Sequence, residues 1–126
     1  MTERICRALT NKHVTMLAHP TGRLLVAREP LAVNLKKVIE TAVANQVIIE
    51  INANPRRLDL DWRMGKFAKQ AGLISCINPD AHGVDGLKDI AYGVGIARKG
   101  WMETSNVLNT QSLPEVLKYL AAKRKN

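Results

Sequence analysis

The chain has 126 residues, 46% of them hydrophobic and 24% charged, with a formal net charge of +8. That size suits one domain or part of one, and the composition excludes a disordered polar tract as well as a membrane-spanning bundle. The two cysteines, Cys6 and Cys76, form no CxxC pair, so neither a disulfide framework nor a thiolate zinc site is expected.

No apolar run approaches the roughly 18 residues that would span a bilayer. The opening MTERICRALTNK has no targeting pattern, so the chain is read as cytoplasmic, with no membrane partner. The positive balance fits a phosphate-bearing partner such as nucleic acid, or simply a solvated basic surface. Lys118, Lys123, Arg124 and Lys125 contribute to it from a basic tail expected to fray.

In chain order, residues 3–10 read as a short helix with Ile5, Ala8 and Leu9 on one side. VTMLA (14–18) reads as a short buried strand. Over 31–46, Leu35, Val38, Ile39, Ala42 and Val43 form one helical face. VIIEIN (47–52) is β-branched and reads as a second strand. Asp59 or Asp61 can cap a helix carrying Leu60, Met64, Phe67, Ala68 and Ala71, and Gly72 can end it. LISCIN (73–78) is the third strand. Asp85 opens a helix with Leu87, Ile90, Ala91 and Val94 turned inward. Ser112 to Glu115 is a capping box with an early proline, followed by Leu113, Val116, Leu117, Leu120 and Ala121 at helical spacing. The order α-β-α-β-α-β-α-α, with short connections, predicts an α/β fold with about three parallel strands and flanking helices. Three such strands leave edges and one face needing cover.

Polar residues collect after each strand: His19-Pro20-Thr21-Gly22-Arg23, Asn52-Ala53-Asn54-Pro55 and Asn78-Pro79-Asp80-Ala81-His82. In parallel α/β folds, ligands bind at that carboxyl edge. Two imidazoles and a carboxylate, from His19, Asp80 and His82, suit zinc, manganese or iron. A structural role for each residue alone is the alternative. Glu50 lies mid-strand on the face of Ile48 and Asn52, where a carboxylate needs a partner. Either it pairs with an arginine as structural support, the reading favoured here, or it orients a metal ligand from behind. Arg23 could grip a phosphate, as could Arg56, Arg57, Arg98 and Lys99. Gly93-Val94-Gly95 resembles a phosphate loop but falls inside a helical pattern.

The segments HPTGRLL, EINANPRRLDLDWR, INPDAH, YGVGIARKGW and VLNTQSLPEVLKYL resemble, in order, the C-terminal part of a family X DNA polymerase of bacteria or archaea. That part is its PHP (polymerase and histidinol phosphatase) domain, and the resemblance covers nearly all of residues 1–126. It implies part of a distorted (β/α)7 barrel with up to three divalent metals, manganese or zinc. The implied chemistry is phosphoester hydrolysis of the 3′–5′ exonuclease or phosphatase type, in the service of DNA repair. His19 matches the family's HP ligand, and Asp80 and His82 match its closing DxH. Arg23, Glu50, Asn52 and Asn54 are candidates for phosphate binding or for supporting the ligands. The family's opening HxH has no counterpart in this chain. A fragment that is inactive alone is therefore expected, with DNA, the first barrel half or a second copy of itself as partners. A non-catalytic PHP-like scaffold or nucleic-acid-binding module is the alternative. A small-molecule phosphatase of the histidinol phosphate type is disfavoured by the polymerase-like motifs.

Overall fold

The computed structural model describes residues 1–125, without the side chains of 124 and 125. Of the expected basic tail, Arg124 and Lys125 therefore lie outside the described side chains. The elements are α1 (Thr2–Leu9), β1 (Met16–Leu17), α2 (Leu35–Ala44), β2 (Ile48–Asn52), α3 (Gly65–Ala71), β3 (Ser75–Asn78), α4 (Ile90–Lys99) and α5 (Leu113–Lys125). Short 3₁₀ turns precede α3, α4 and α5. The three strands are parallel in the order β1-β2-β3, with Leu17 beside Ile49 and Asn52 beside Asn78. The α/β class, the element order and the parallel sheet are as expected.

β1 is shorter than the expected 14–18. The amide of Val14 donates to the carbonyl of Asn11 within a turn, and His19 takes a left-handed backbone (φ 28°), so the ladder cannot extend in either direction.

β2 is buried along its whole length. On one side Val47 and Ile49 pack with Leu9, Val38, Ile39 and Ala42 of α1 and α2. Further along, Ile51, Ala53 and Ile77 meet Ala97 of α4. On the opposite side Ile48 and Cys76 pack with Leu108 and with Val116, Tyr119 and Leu120 of α5. The face that seemed to lack cover is thus covered in part from within the chain. Lys123, expected in the frayed tail, is buried and donates to the carbonyl of Asn45 at 2.6 Å, which pins α5 to the turn before β2.

The inward faces of three helices differ from the periodicity reading. In α1, Cys6 and Leu9 are buried and Ala8 is exposed. In α5, Leu113 and Leu117 are exposed, and Ala121 with them. In α4, Ala91 and Val94 are exposed, while Gly93 and Ala97 are buried, and Leu87 is exposed in the 3₁₀ stretch before it. Asp85 lies in the first turn of a 3₁₀ stretch, Val84–Asp89, rather than opening a helix, and α4 begins only at Ile90, which rotates the helix relative to the expected phase. A β-carbon on Gly93 would overlap Ile77 and lie 2.7 Å from Ala53 Cβ, so α4 sits on the sheet through its smallest residues. Gly93 serves helix–sheet packing rather than a phosphate loop.

The C-terminus of α4 closes in a Schellman motif: Trp101 N–H donates to Arg98 at 3.1 Å and Met102 N–H to Ala97 at 3.0 Å. The left-handed position belongs to Trp101 (φ 65°), where glycine is usual. That conformation costs a residue with a β-carbon about 1 kcal/mol. Gly100, one residue earlier, is used for close backbone contact with Gly65 at the start of α3.

Candidate functional site

Parallel pairing brings the carboxyl ends of β1, β2 and β3 to one edge. The group that ties them together is Glu50, which is only 6% exposed. Its Oε2 accepts the backbone N–H of His19 at 2.8 Å and Nδ2 of Asn52 at 3.2 Å. Its Oε1 accepts Nδ2 of Asn78 at 2.9 Å. One buried carboxylate therefore holds residues following β1, ending β2 and ending β3. The expected arginine partner is replaced by one main-chain amide and two asparagine side chains. Glu50 also raises the pKa of the Cys76 thiol, after burial, which is the larger cause.

His19 presents an exposed imidazole on a left-handed backbone. Asp80 is also left-handed (φ 53°), and its Oδ2 accepts Nε of Arg57 at 3.1 Å. His82 Nδ1–H donates to the Asp80 carbonyl at 2.8 Å, which leaves Nε2 as the open acceptor. Two non-glycine residues strained at one sheet edge is a pattern that recurs at functional sites.

Behind this edge the loops are cross-braced. Thr21 donates both its N–H and its hydroxyl to Asp59 Oδ2, each at 2.9 Å. Asp59 is fully buried with its carboxylate turned to Thr21, and the cap of the 3₁₀ turn Trp62–Met64 is Asp61, which accepts the N–H of Arg63. Burial raises the Asp59 pKa against the lowering pull of the Thr21 bonds. Arg23 spends Nε on the Arg57 carbonyl (2.7 Å), one terminal nitrogen on Asp61 (2.6 Å) and the other on the Leu58 carbonyl. Its guanidinium braces the 19–25 segment against 57–61. Asn52 Oδ1 accepts the N–H of Asn54, whose own Oδ1 accepts that of Arg56, so both asparagines shape the turn after β2. A depression of about 290 Å³ opens beside Asp80 and His82, walled by Leu24, Leu25, Arg56 and Arg57.

The donor set of His19, Asp80 and His82 suits zinc or manganese by chemistry. Among the described residues, however, no group of three or more His, Cys, Asp or Glu side chains is positioned to hold a metal ion. Asp80 is also neutralised by Arg57. The edge offers ligands singly and does not form a closed site. Sequence reading overlooked the Asn78 amide and the Thr21–Asp59 pair. The recurrence of asparagine at the ends of both β2 and β3 was the available signal for the first. None of the described helices is long and apolar enough to cross a membrane.

No family model matches the chain. It is 46% identical over 118 residues, 94% of its length, to the DNA polymerase/3′-5′ exonuclease PolX of Bacillus subtilis (strain 168). The chain spans about a fifth of that relative's length, 21%.

Proposed function

We propose that this chain is the closing portion of a PHP-type phosphoesterase barrel in a PolX-type DNA repair protein of the cytoplasm, and that its strand-end edge lends ligands to a divalent-metal site completed by other segments. The 46% identity to a named 3′-5′ exonuclease carries this reading. The placement of HPTGR and DAH after parallel strands supports it. A divalent metal at such a site would supply an activated water and neutralise phosphoryl charge. This chain's own residues supply positioning: Glu50 fixes the His19 amide, the Asp80 carbonyl sets the His82 tautomer, and Arg57 holds the Asp80 carboxylate. DNA is the proposed substrate. A second copy of the chain is a less needed partner, because α5 already covers part of the open face.

A non-catalytic scaffold is the second reading, favoured by the Arg57–Asp80 ion pair. A chimera separates the two. The matching stretch of the Bacillus subtilis relative is replaced by this chain, and manganese-dependent release of nucleotides from a 5′-labelled strand is followed. The proposal expects an active chimera silenced by Asp80→Asn, and negligible hydrolysis by the chain alone. Activity indifferent to Asp80→Asn would support the scaffold. Robust hydrolysis by the chain alone, abolished by Asp80→Asn, would overturn the shared site.

A further inference from the structure

The end of α4 exposes an aromatic ring that the fold does not use. Trp101 is 74% exposed, yet its backbone is held rigidly by the two Schellman hydrogen bonds, with Met102 buried as the anchor next to it. Glycine would fit the left-handed position better, and an outward indole adds nothing to the core. The Gly65–Gly100 contact sets α3 directly against this turn. As a result Lys66, Lys69 and Gln70 of α3 line a depression of about 260 Å³ together with the indole. This depression shares no lining residue with the one beside Asp80. Lys69 is paired with Glu103, and Lys99 lies over the Trp62 ring at 4.5 Å. The exposed side chains of Lys66 and Arg98 have no partner among the described residues.

We propose that Trp101 and Lys66 form a platform for single-stranded nucleic acid, with a base stacked on the indole and a flanking phosphate beside the unpaired lysine. A rigid, outward aromatic face bordered by cations is the arrangement that binds single strands without reading sequence. A duplex keeps its base faces stacked and cannot use the indole in this way. A protein partner of the apolar kind would leave the Lys66 charge unanswered, whereas a phosphate answers it. The net charge of +8 points in the same direction.

The test uses the full chain in EDTA, which removes any metal-dependent contribution. The anisotropy of a 5′-dye-labelled oligothymidylate of about twelve nucleotides is read as chain is added at about 50 mM salt, with tryptophan fluorescence followed alongside in the wild type. A saturable rise in anisotropy and parallel quenching are expected. Trp101→Gly should weaken binding roughly tenfold, the scale of one stacked base. The same variant should melt no lower than wild type, since glycine suits φ 65°, so failure to fold cannot imitate the result. Lys66→Gln should reduce the log–log salt slope by about 0.7, the value for one phosphate on a single strand. The proposal is overturned by absence of saturable binding, by unchanged affinity in Trp101→Gly, by equal affinity for a duplex of the same length, or by quenching that follows self-association of the chain. Because metal is absent, failure here leaves the strand-end reading intact, and failure of the chimera leaves this surface intact.

Discussion

Glu50 Oε2 accepts the backbone N–H of His19 at 2.8 Å, joining the middle of β2 to the first residue of the HPTGR segment. The same carboxylate takes Asn78 at the end of β3, so its charge is balanced by donors from three strand ends. Glu50→Gln keeps the shape but turns an amide group toward donors. A buried donor left without an acceptor costs about 2 kcal/mol. We expect a lower urea midpoint with the slope unchanged, together with a large shift of the His19 amide resonance. An unmoved His19 amide would show that Glu50 does not hold that loop.

Gly93 and Gly95 sit two residues apart on α4 and should respond oppositely to alanine. At Gly93 the new methyl meets Ile77 and Ala53, and overpacking of this kind costs about 2 kcal/mol. At Gly95 nothing lies within 4 Å, so the gain in helix propensity, about 1 kcal/mol, stands alone. Thermal melts of the two variants should straddle wild type. Stabilisation by Gly93→Ala would mean that α4 does not pack on the sheet through this face.

Two neighbouring carboxylates should shape acid stability with opposite signs. The Arg63 side chain, then Arg23, hold Asp61 well below its ordinary 3.8 despite partial burial. Its stabilisation is present above pH 3.8 and is lost as pH falls toward the native value. Asp59 is raised above 3.8 by burial, so its stabilisation is full below that pH and is lost as pH rises through the native value. In melts across pH 2–7, Asp61→Asn should lose part of the acid-limb slope. The melting temperature of Asp59→Asn relative to wild type should rise with pH above about 4. Curves parallel to wild type would contradict both assignments.

Burial and the Glu50 charge raise the Cys76 thiol pKa, so little thiolate exists near pH 8. In a Cys6→Ser background, native protein should react with a disulfide reagent far more slowly than urea-unfolded protein. Equal rates would indicate that α5 does not cover Cys76.

The strands were legible because their β-branched runs and the turns between them carry a local signal, as in VIIEIN before NANP. The polar edge was legible because parallel strands bring their carboxyl ends together. Helix phase was less so. In α4 the large residue Val94 faces outward because Gly93, Gly100 and Gly65 allow a close backbone approach that hydrophobicity does not register. Arg23 illustrates a second limit. Its charge suggested a phosphate, but only the fold reveals that Leu58, Arg57 and Asp61 use all of its nitrogens. Trp101 illustrates a third, since a left-handed tryptophan has no signature beyond the glycine before it.

The central claim is that the strand-end edge lends metal ligands, and paramagnetic broadening tests it most directly. Substoichiometric manganese is added to ¹⁵N-labelled chain, and amide intensities are followed residue by residue. The account predicts weak binding, with signals around His19, Asp80 and His82 broadened first and protected by Asp80→Asn. Broadening centred on remote carboxylates such as Glu3 or Glu103, or no residue-specific broadening at all, would contradict it.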